Sequence, residues 1–282
     1  MLCESAKIVD AGIDYFTTTA TVPSEARLMM VQADTLLSRE RRLGFDVKPW
    51  SMSGYHGWLC GRLQFGERSD GCIVRLSSGL AAQDWFTFYQ TSGRCSRVDF
   101  QVTLFCDGPV PAEVFAIAAM AKTFYGERKD GPRITLWSDN EGGATCYLGK
   151  RKSSLFFRGY NKEAQSNLPE WSKCLRLELE VKGRLTSWHL AKAMAAESVK
   201  LGCILIISDY LRDRGIAPNL FEEYPRSFYE RWMPATDRLN SLEWLARQVA
   251  PVVHRLIDDG LGDAALEILG LSKIAMRSRG ES

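Results

Sequence analysis

The sequence holds eight cysteines but no CxxC pair, and no apolar run in it is long enough to span a bilayer. Without paired spacing there is no zinc framework, and without a secretory signal the expected setting is cytoplasmic, with reduced, mostly buried thiols. A Walker loop, a Rossmann glycine fingerprint, GxSxG and HExxH are also missing, so the common phosphate cradles, serine-hydrolase elbows and zinc-protease helices are excluded. The three histidines, His56, His189 and His254, are scattered. A paired-histidine metal site on one strand, the commoner design among single-strand DNA nickases, is therefore absent. Charge of either sign is nearly balanced, with 36 Lys and Arg against 34 Asp and Glu and a formal net charge of +2, so any basic surface for nucleic acid has to be local.

What is present is enough for a sizeable core: 282 residues, 45% of them hydrophobic. GIDYFTTTATV alternates and is rich in β-formers, predicting a strand over about Gly12 to Val22. Pro23 and Ser24 open a helix that closes on the arginines of Arg39–Arg42, where cations meet the negative helix end. The stretch from Trp50 to Gly79 reads as a meander with a Ser-Asp-Gly turn, followed by the strand RVDFQVTLF, the helix PAEVFAIAAMAKTFYG and a second hairpin, PRITLWSDNEGGATCYLGK. Strand, helix and hairpin thus recur in both halves without clear sequence identity, a suggestion of pseudo-duplication. After Lys182 an Ala-rich helix over Ser187 to Lys200 is broken at Gly202. The expected fold is α+β, with antiparallel sheets and flanking helices in one domain over residues 1–214. A helical C-terminal extension over 215–282 is interrupted at Pro251 and Gly260 and has a disordered end.

The chemistry concentrates between Tyr147 and Lys182. In CLRLELEVK, residues two apart share a face, so Arg176, Glu178, Glu180 and Lys182 line one side and Leu175, Leu177, Leu179 and Val181 the other. On RVDFQVT, Arg97, Asp99, Gln101 and Thr103 face one way. A mid-strand aspartate needs compensation, which a metal ion or an arginine supplies, unless the strand is an exposed edge. Asp99 with Glu178 and Glu180 offers hard oxygen donors for Mg²⁺ or Mn²⁺. The same residues read equally as an ion-pair lattice of little energetic weight.

Taken in order, DYFTTT, GYHGW…RLQFGER, IVRLSSGLA, RVDFQVT, YLGKRKS…FFRGYNKEAQ and RLELEVKG resemble the replication initiation factor family. Its members are rolling-circle initiators of plasmids and filamentous phages, with relatives among conjugative-element relaxases. The likeness runs from about Asp14 to Lys182, with a weaker match in LEWLARQVAPVVHRLI, and its more specific pieces are YLGKRKS followed by R-x-Y-N-K-E, and R-x-E-x-E-x-K. The resemblance implies a metal-dependent nicking endonuclease acting on origin DNA, a double-stranded site nicked as a single strand. A tyrosine attacks the scissile phosphate, leaving a 5′-phosphotyrosine and a 3′-hydroxyl that primes synthesis. It implies Asp99 and Glu178, with Glu180 beside them, as metal ligands for Mg²⁺ or Mn²⁺. Arg97, Lys150, Arg151, Lys152, Arg158, Lys162, Arg176 and Lys182 would hold DNA. A host helicase and polymerase are further partners to expect. Initiators of this kind often act as homodimers, although no coiled-coil heptad demands it here.

One departure matters. In the family the nucleophilic tyrosine sits on the helix just after the R-x-E-x-E strand, where this chain reads GRLTSWHLAK and places Trp188. Tyr160, within RGYNKE, is the first substitute and Tyr210, in SDYLRDRG, the second. The alternative is a sequence-specific DNA-binding or regulatory protein of the same fold that has lost strand transfer.

Overall fold

The computed structural model describes residues 6–126, 132–140, 142–216, 221 and 223–224. The chain divides into two compact units, Met1–Tyr229 and Glu230–Ser282, and every described residue belongs to the first. The helical extension and disordered end expected over 215–282 lie outside the described residues, apart from Gly215, Ile216, Phe221, Glu223 and Tyr224.

The first unit is α+β. Its strands are β1 (Lys7–Ala20), β2 (Val47–Met52), β3 (Tyr55–Cys60), β4 (Leu63–Arg68), β5 (Gly71–Ser77), β6 (Arg97–Phe105), β7 (Ile134–Ser138), β8 (Ala144–Leu148), β9 (Leu155–Asn161) and β10 (Cys174–Lys182). Its helices are α1 (Pro23–Arg42), α2 (Ser78–Ser92), α3 (Val110–Tyr125), α4 (Lys162–Ser166), α5 (Leu185–Ala195) and α6 (Val199–Arg212). The ten strands among the described residues form one antiparallel sheet in the order β2-β3-β4-β5-β1-β6-β10-β9-β8-β7.

That order carries the repeat suggested by the sequence. Each half runs strand, helix, four-strand meander, helix, and the last meander strand returns to pair with the first strand, β5 with β1 and β10 with β6. The halves meet antiparallel at β1 and β6, so the second half repeats the first about a pseudo-two-fold axis through that join, where Tyr15 stands opposite Asp99. A register shift between Ile13 and Tyr15 leaves Asp14 as an extra residue beside the axis.

The two faces differ because side chains alternate along each strand. One face carries Phe16, Val74, Leu76, Val98, Phe100, Val102, Leu104, Phe157 and the leucines of β10, all buried. Against it lie α1 (through Ala26 to Cys72), α2 (Trp85 on Phe16, 6.0 Å), α3 (Ile117 over Gly159), α5 (His189 by Phe100, 6.2 Å) and α6 (Tyr210 stacked on Phe157, 5.5 Å). The opposite face presents the charged stripe. β6 is therefore a central strand, and the reading of Asp99 as an exposed edge residue does not hold: it is 1% exposed.

Two expectations change in detail. A helix forms directly after β5, where the sequence reading names none beyond Gly79: α2 has no side-chain N-cap, and tertiary packing of Leu80, Trp85 and Phe88 supplies what local signals do not. The break expected at Gly202 falls instead at residues 196–198. Ser198 caps α6 by accepting from the Leu201 amide (3.1 Å), and Gly202 sits inside that helix. Its role is close approach: a Cβ there would lie 2.5 Å from the Ala193 carbonyl oxygen and 2.6 Å from its Cα. No helix among the described residues is long and apolar enough to cross a membrane.

Gly202→Ala should therefore destabilise the protein by about 1–3 kcal/mol in urea unfolding, although alanine is the better helix former. A gain in stability would show that α5 and α6 are not in contact there. His189, packed between Phe100 and Trp188, has its pKa lowered by burial to about 4, against a smaller upward pull from the Leu185 carbonyl 2.9 Å away. Its folded value lies below the unfolded one, so the unfolded state binds the extra proton between roughly pH 6.5 and 4. Stability should fall through that window as pH drops, and His189→Asn should flatten the slope of the urea midpoint against pH.

Candidate functional site

The face opposite α1, α2, α3, α5 and α6 gathers charge from four adjacent strands in register. Glu180 pairs with Asp99 and with Phe156, Glu178 with Gln101 and Arg158, and Arg176 with Thr103 and Tyr160. The alternation read from β6 and β10 thus becomes one lattice. Asp99 accepts from Arg97 (Nε 2.8 Å, Nη2 2.6 Å) and from Arg158 Nη2 (3.1 Å). The same Arg97 Nη2 lies 2.8 Å from Glu180, and the same Arg158 Nη2 lies 2.5 Å from Glu178. Arg176 joins Glu178 (3.3 Å) to Asp14 (2.8 Å), and Lys182 pairs with Glu180. The lattice then reaches β1 through Gln101, whose amide donates to Asp10 at 2.8 Å.

These groups are deeply placed: Glu178 is 3% exposed and Glu180 1%. Burial raises the Asp99 pKa above the usual carboxylate range, more than Arg97 and Arg158 return. Arg97 moves up as well, because its bonds to Asp99 and the nearby Glu180 outweigh the cost of burying the guanidinium. Tyr160 donates its hydroxyl to Glu178 Oε1 at 2.5 Å, and burial followed by that carboxylate pushes the phenol well above its ordinary value. Lys162 stands 6.0 Å from the Tyr160 ring, with its pKa lowered by burial and by Arg176.

Of the residues expected to form the site, Asp99, Glu178, Glu180, Arg97, Arg158, Arg176, Lys182 and Tyr160 come together, with Lys162 at the margin. Lys150, Arg151 and Lys152 occupy the exposed connection between β8 and β9, tied to the lattice through Lys182, which donates to the Arg151 carbonyl. Tyr210 is on the helix-covered face, where burial pushes its pKa up to about 12 against the pull of Arg214. There it lines a pocket of about 410 Å³ with Trp188, His189, Lys192 and Asp209. Trp188 and Tyr210 on one hand and the carboxylates on the other therefore belong to opposite faces of the sheet. Sequence reading missed Asp10 and Asp14, whose link to the site depends on the β1 register and its bulge.

A divalent cation would have to displace arginine from this donor set. Each place where an ion would bridge two carboxylates already holds a guanidinium nitrogen, Arg97 between Asp99 and Glu180 and Arg158 between Asp99 and Glu178. Among the described residues no group of three His, Cys, Asp or Glu is arranged to hold a metal ion. Glu180 keeps two oxygens that accept no hydrogen bond, yet both are within ion-pair range of cations. In this arrangement the residues do not fit an added Mg²⁺ or Mn²⁺.

Removing Arg158 takes one of two cationic partners from each of two buried carboxylates, leaving Asp99 to Arg97 and Glu178 to Arg176, so Arg158→Met should cost about 1–3 kcal/mol at neutral pH. Part of that loss should return in mild acid as the freed carboxylates protonate. An Arg158→Met variant with wild-type urea midpoint at neutral pH would mean the lattice is not load-carrying for the fold.

No protein-family model and no curated protein matches this chain. Among solved structures, the rolling circle replication initiator protein from Geobacillus stearothermophilus is similar at 16% sequence identity and a TM-score of 0.43, over 66% of this chain and 78% of that one. At that distance no residue role passes from one chain to the other.

Proposed function

We propose that this chain is a replication initiator that binds the origin DNA of a plasmid, phage or integrated element and nicks one strand through Tyr160. The observation that carries the reading is the contact of the Tyr160 hydroxyl with Glu178, inside a cluster of guanidinium groups. The ordered motifs of the sequence support the same assignment. At neutral pH the phenol is protonated, so attack depends on Glu178 taking the proton as the tyrosyl oxygen approaches phosphorus. The new oxygen–phosphorus bond leaves a 5′-phosphotyrosine, and the departing 3′ oxygen takes up a proton, for which Lys162, held below the ordinary lysine pKa, is the proposed donor. Arg158 and Arg176, both against Glu178, would meet the charge that develops on the phosphate.

Mg²⁺ or Mn²⁺ belongs to the proposal only as an ion that competes with Arg97 and Arg158 for Asp99, Glu178 and Glu180, and no step is drawn through it. A helicase, a polymerase and a second copy of the chain enter through the resemblance alone. A second reading, specific DNA binding without strand transfer, is favoured by Trp188 at the family's tyrosine position and by the raised Tyr160 phenol.

Covalent capture separates the two. A labelled single-stranded origin oligonucleotide incubated with the protein, with and without Mn²⁺, should give in both cases an adduct that survives denaturing electrophoresis, disappears in Tyr160→Phe and persists in Tyr210→Phe. Salt-sensitive specific binding with no adduct would establish the second reading.

A further inference from the structure

The row of cross-strand neighbours that holds Tyr160 continues outward from the lattice to the edge of the sheet. Arg176 pairs with Tyr160, Tyr160 with Thr145, and Thr145 with Trp137 on β7, so all four side chains share one face. The adjoining row runs Glu178, Arg158, Tyr147, Thr135 on that same face. Three rings, Tyr160, Tyr147 and Trp137, thus stand on three neighbouring strands beside the Tyr160–Glu178 contact. Two strand spacings set the backbone of Trp137 about 10 Å from that of Tyr160.

A lone exposed apolar residue needs no explanation, but Trp137 is set apart by its surroundings. It is 53% exposed, the only tryptophan among the described residues that is more exposed than half-buried. Trp58, Trp85 and Trp188 each pack on another ring and Trp50 carries Arg75, whereas no ring or cation lies against Trp137 among the described residues. Its neighbours on this face, Thr145 across and Thr135 two residues back, are short and half-buried. Tyr147 beyond them is held by Phe156, stacked on it at 5.6 Å and 13°. The turn between β7 and β8 is tied to the end of β9, where the Asn161 amide donates to the Gly142 carbonyl at 3.0 Å, and Asp139 closes the turn by accepting from the Gly143 amide at 2.7 Å. The indole is therefore presented from a hairpin fixed relative to Tyr160.

Charge at the other end of the same strands points to the occupant. Arg133, whose carbonyl accepts from the Gly149 amide, and Lys150, Arg151 and Lys152 are all exposed. No carboxylate among the described residues is in ion-pair range of any of the four. Exposed rings next to uncompensated cations suit unpaired bases and their phosphate backbone. We propose that Trp137 is a stacking surface for an unpaired base of the strand whose phosphate sits at Tyr160, with the basic residues around the β8–β9 connection meeting the charge of that strand's backbone. The proposal rests on the initiator reading above, which supplies the phosphate at Tyr160.

The test uses the full chain, a fluorescent single-stranded oligonucleotide of mixed sequence, and a strand of equal length whose residues are all abasic. Trp137→Leu, which keeps an apolar side chain on the strand, should weaken binding to the base-bearing oligonucleotide by about tenfold. Its affinity for the abasic strand and its slope of log K against log salt should match the wild type, because no charge is lost. Trp137→Phe, which keeps a ring, should bind close to wild type. Wild-type affinity of Trp137→Leu for the base-bearing strand would overturn the stacking surface while leaving the initiator reading intact. Equal loss on both strands would assign Trp137 to the fold or to backbone contact and overturn it as well. So would a wild-type dimer that Trp137→Leu dissociates with no loss of affinity, a result that makes a second copy of the chain the occupant. A wild type that binds no single strand would remove the initiator reading and the stacking surface with it.

Discussion

Three carboxylates buried on one sheet face cannot remain ionised without cations at contact distance. Asp99, Glu178 and Glu180 come from two strands far apart in sequence, and Arg158, which touches two of them, comes from a third. Satisfying that requirement fixes the order β6-β10-β9 and its register, because a one-residue slip would turn every charge into the helix-covered core. The lattice is thus as much a specification of the fold as a site upon it.

The duplicated topology gives that constraint a second use. Two copies of one strand arrangement meet at β1 and β6, and equivalent positions on the same face hold carboxylates in one half and Arg75, Ser77 and Tyr15 in the other. The helices α1, α2, α3, α5 and α6 form a common support behind both halves.

Much of this was legible in the sequence, for a physical reason: alternation has a period of two, so the stripe of Arg176, Glu178, Glu180 and Lys182 and the pairing of Arg97 with Asp99 follow from strand geometry alone. Pro23 and Ser24 mark the start of α1, and the glycine turns mark the hairpins, by local chemistry of the same kind. What alternation cannot supply is which strand lies beside which. Arg158 as the shared partner of Asp99 and Glu178 and Asp14 as the partner of Arg176 both depend on cross-strand register between non-consecutive segments. Gly202 was legible as special and misread as a helix break, because a glycine that admits a neighbouring backbone looks the same in sequence as one that ends a helix.

The central claim is that nucleic acid is handled on the sheet face that carries the charged lattice and not beside α5 and α6, where Trp188 and Tyr210 lie. Photo-crosslinking of a single-stranded oligonucleotide carrying halogenated pyrimidines, followed by mapping of the modified peptides, measures this directly. The account predicts crosslinks at Tyr160 or Tyr15 and none at Trp188 or Tyr210. Crosslinks confined to Trp188 and Tyr210 would place the nucleic acid on the other side of the sheet and contradict it.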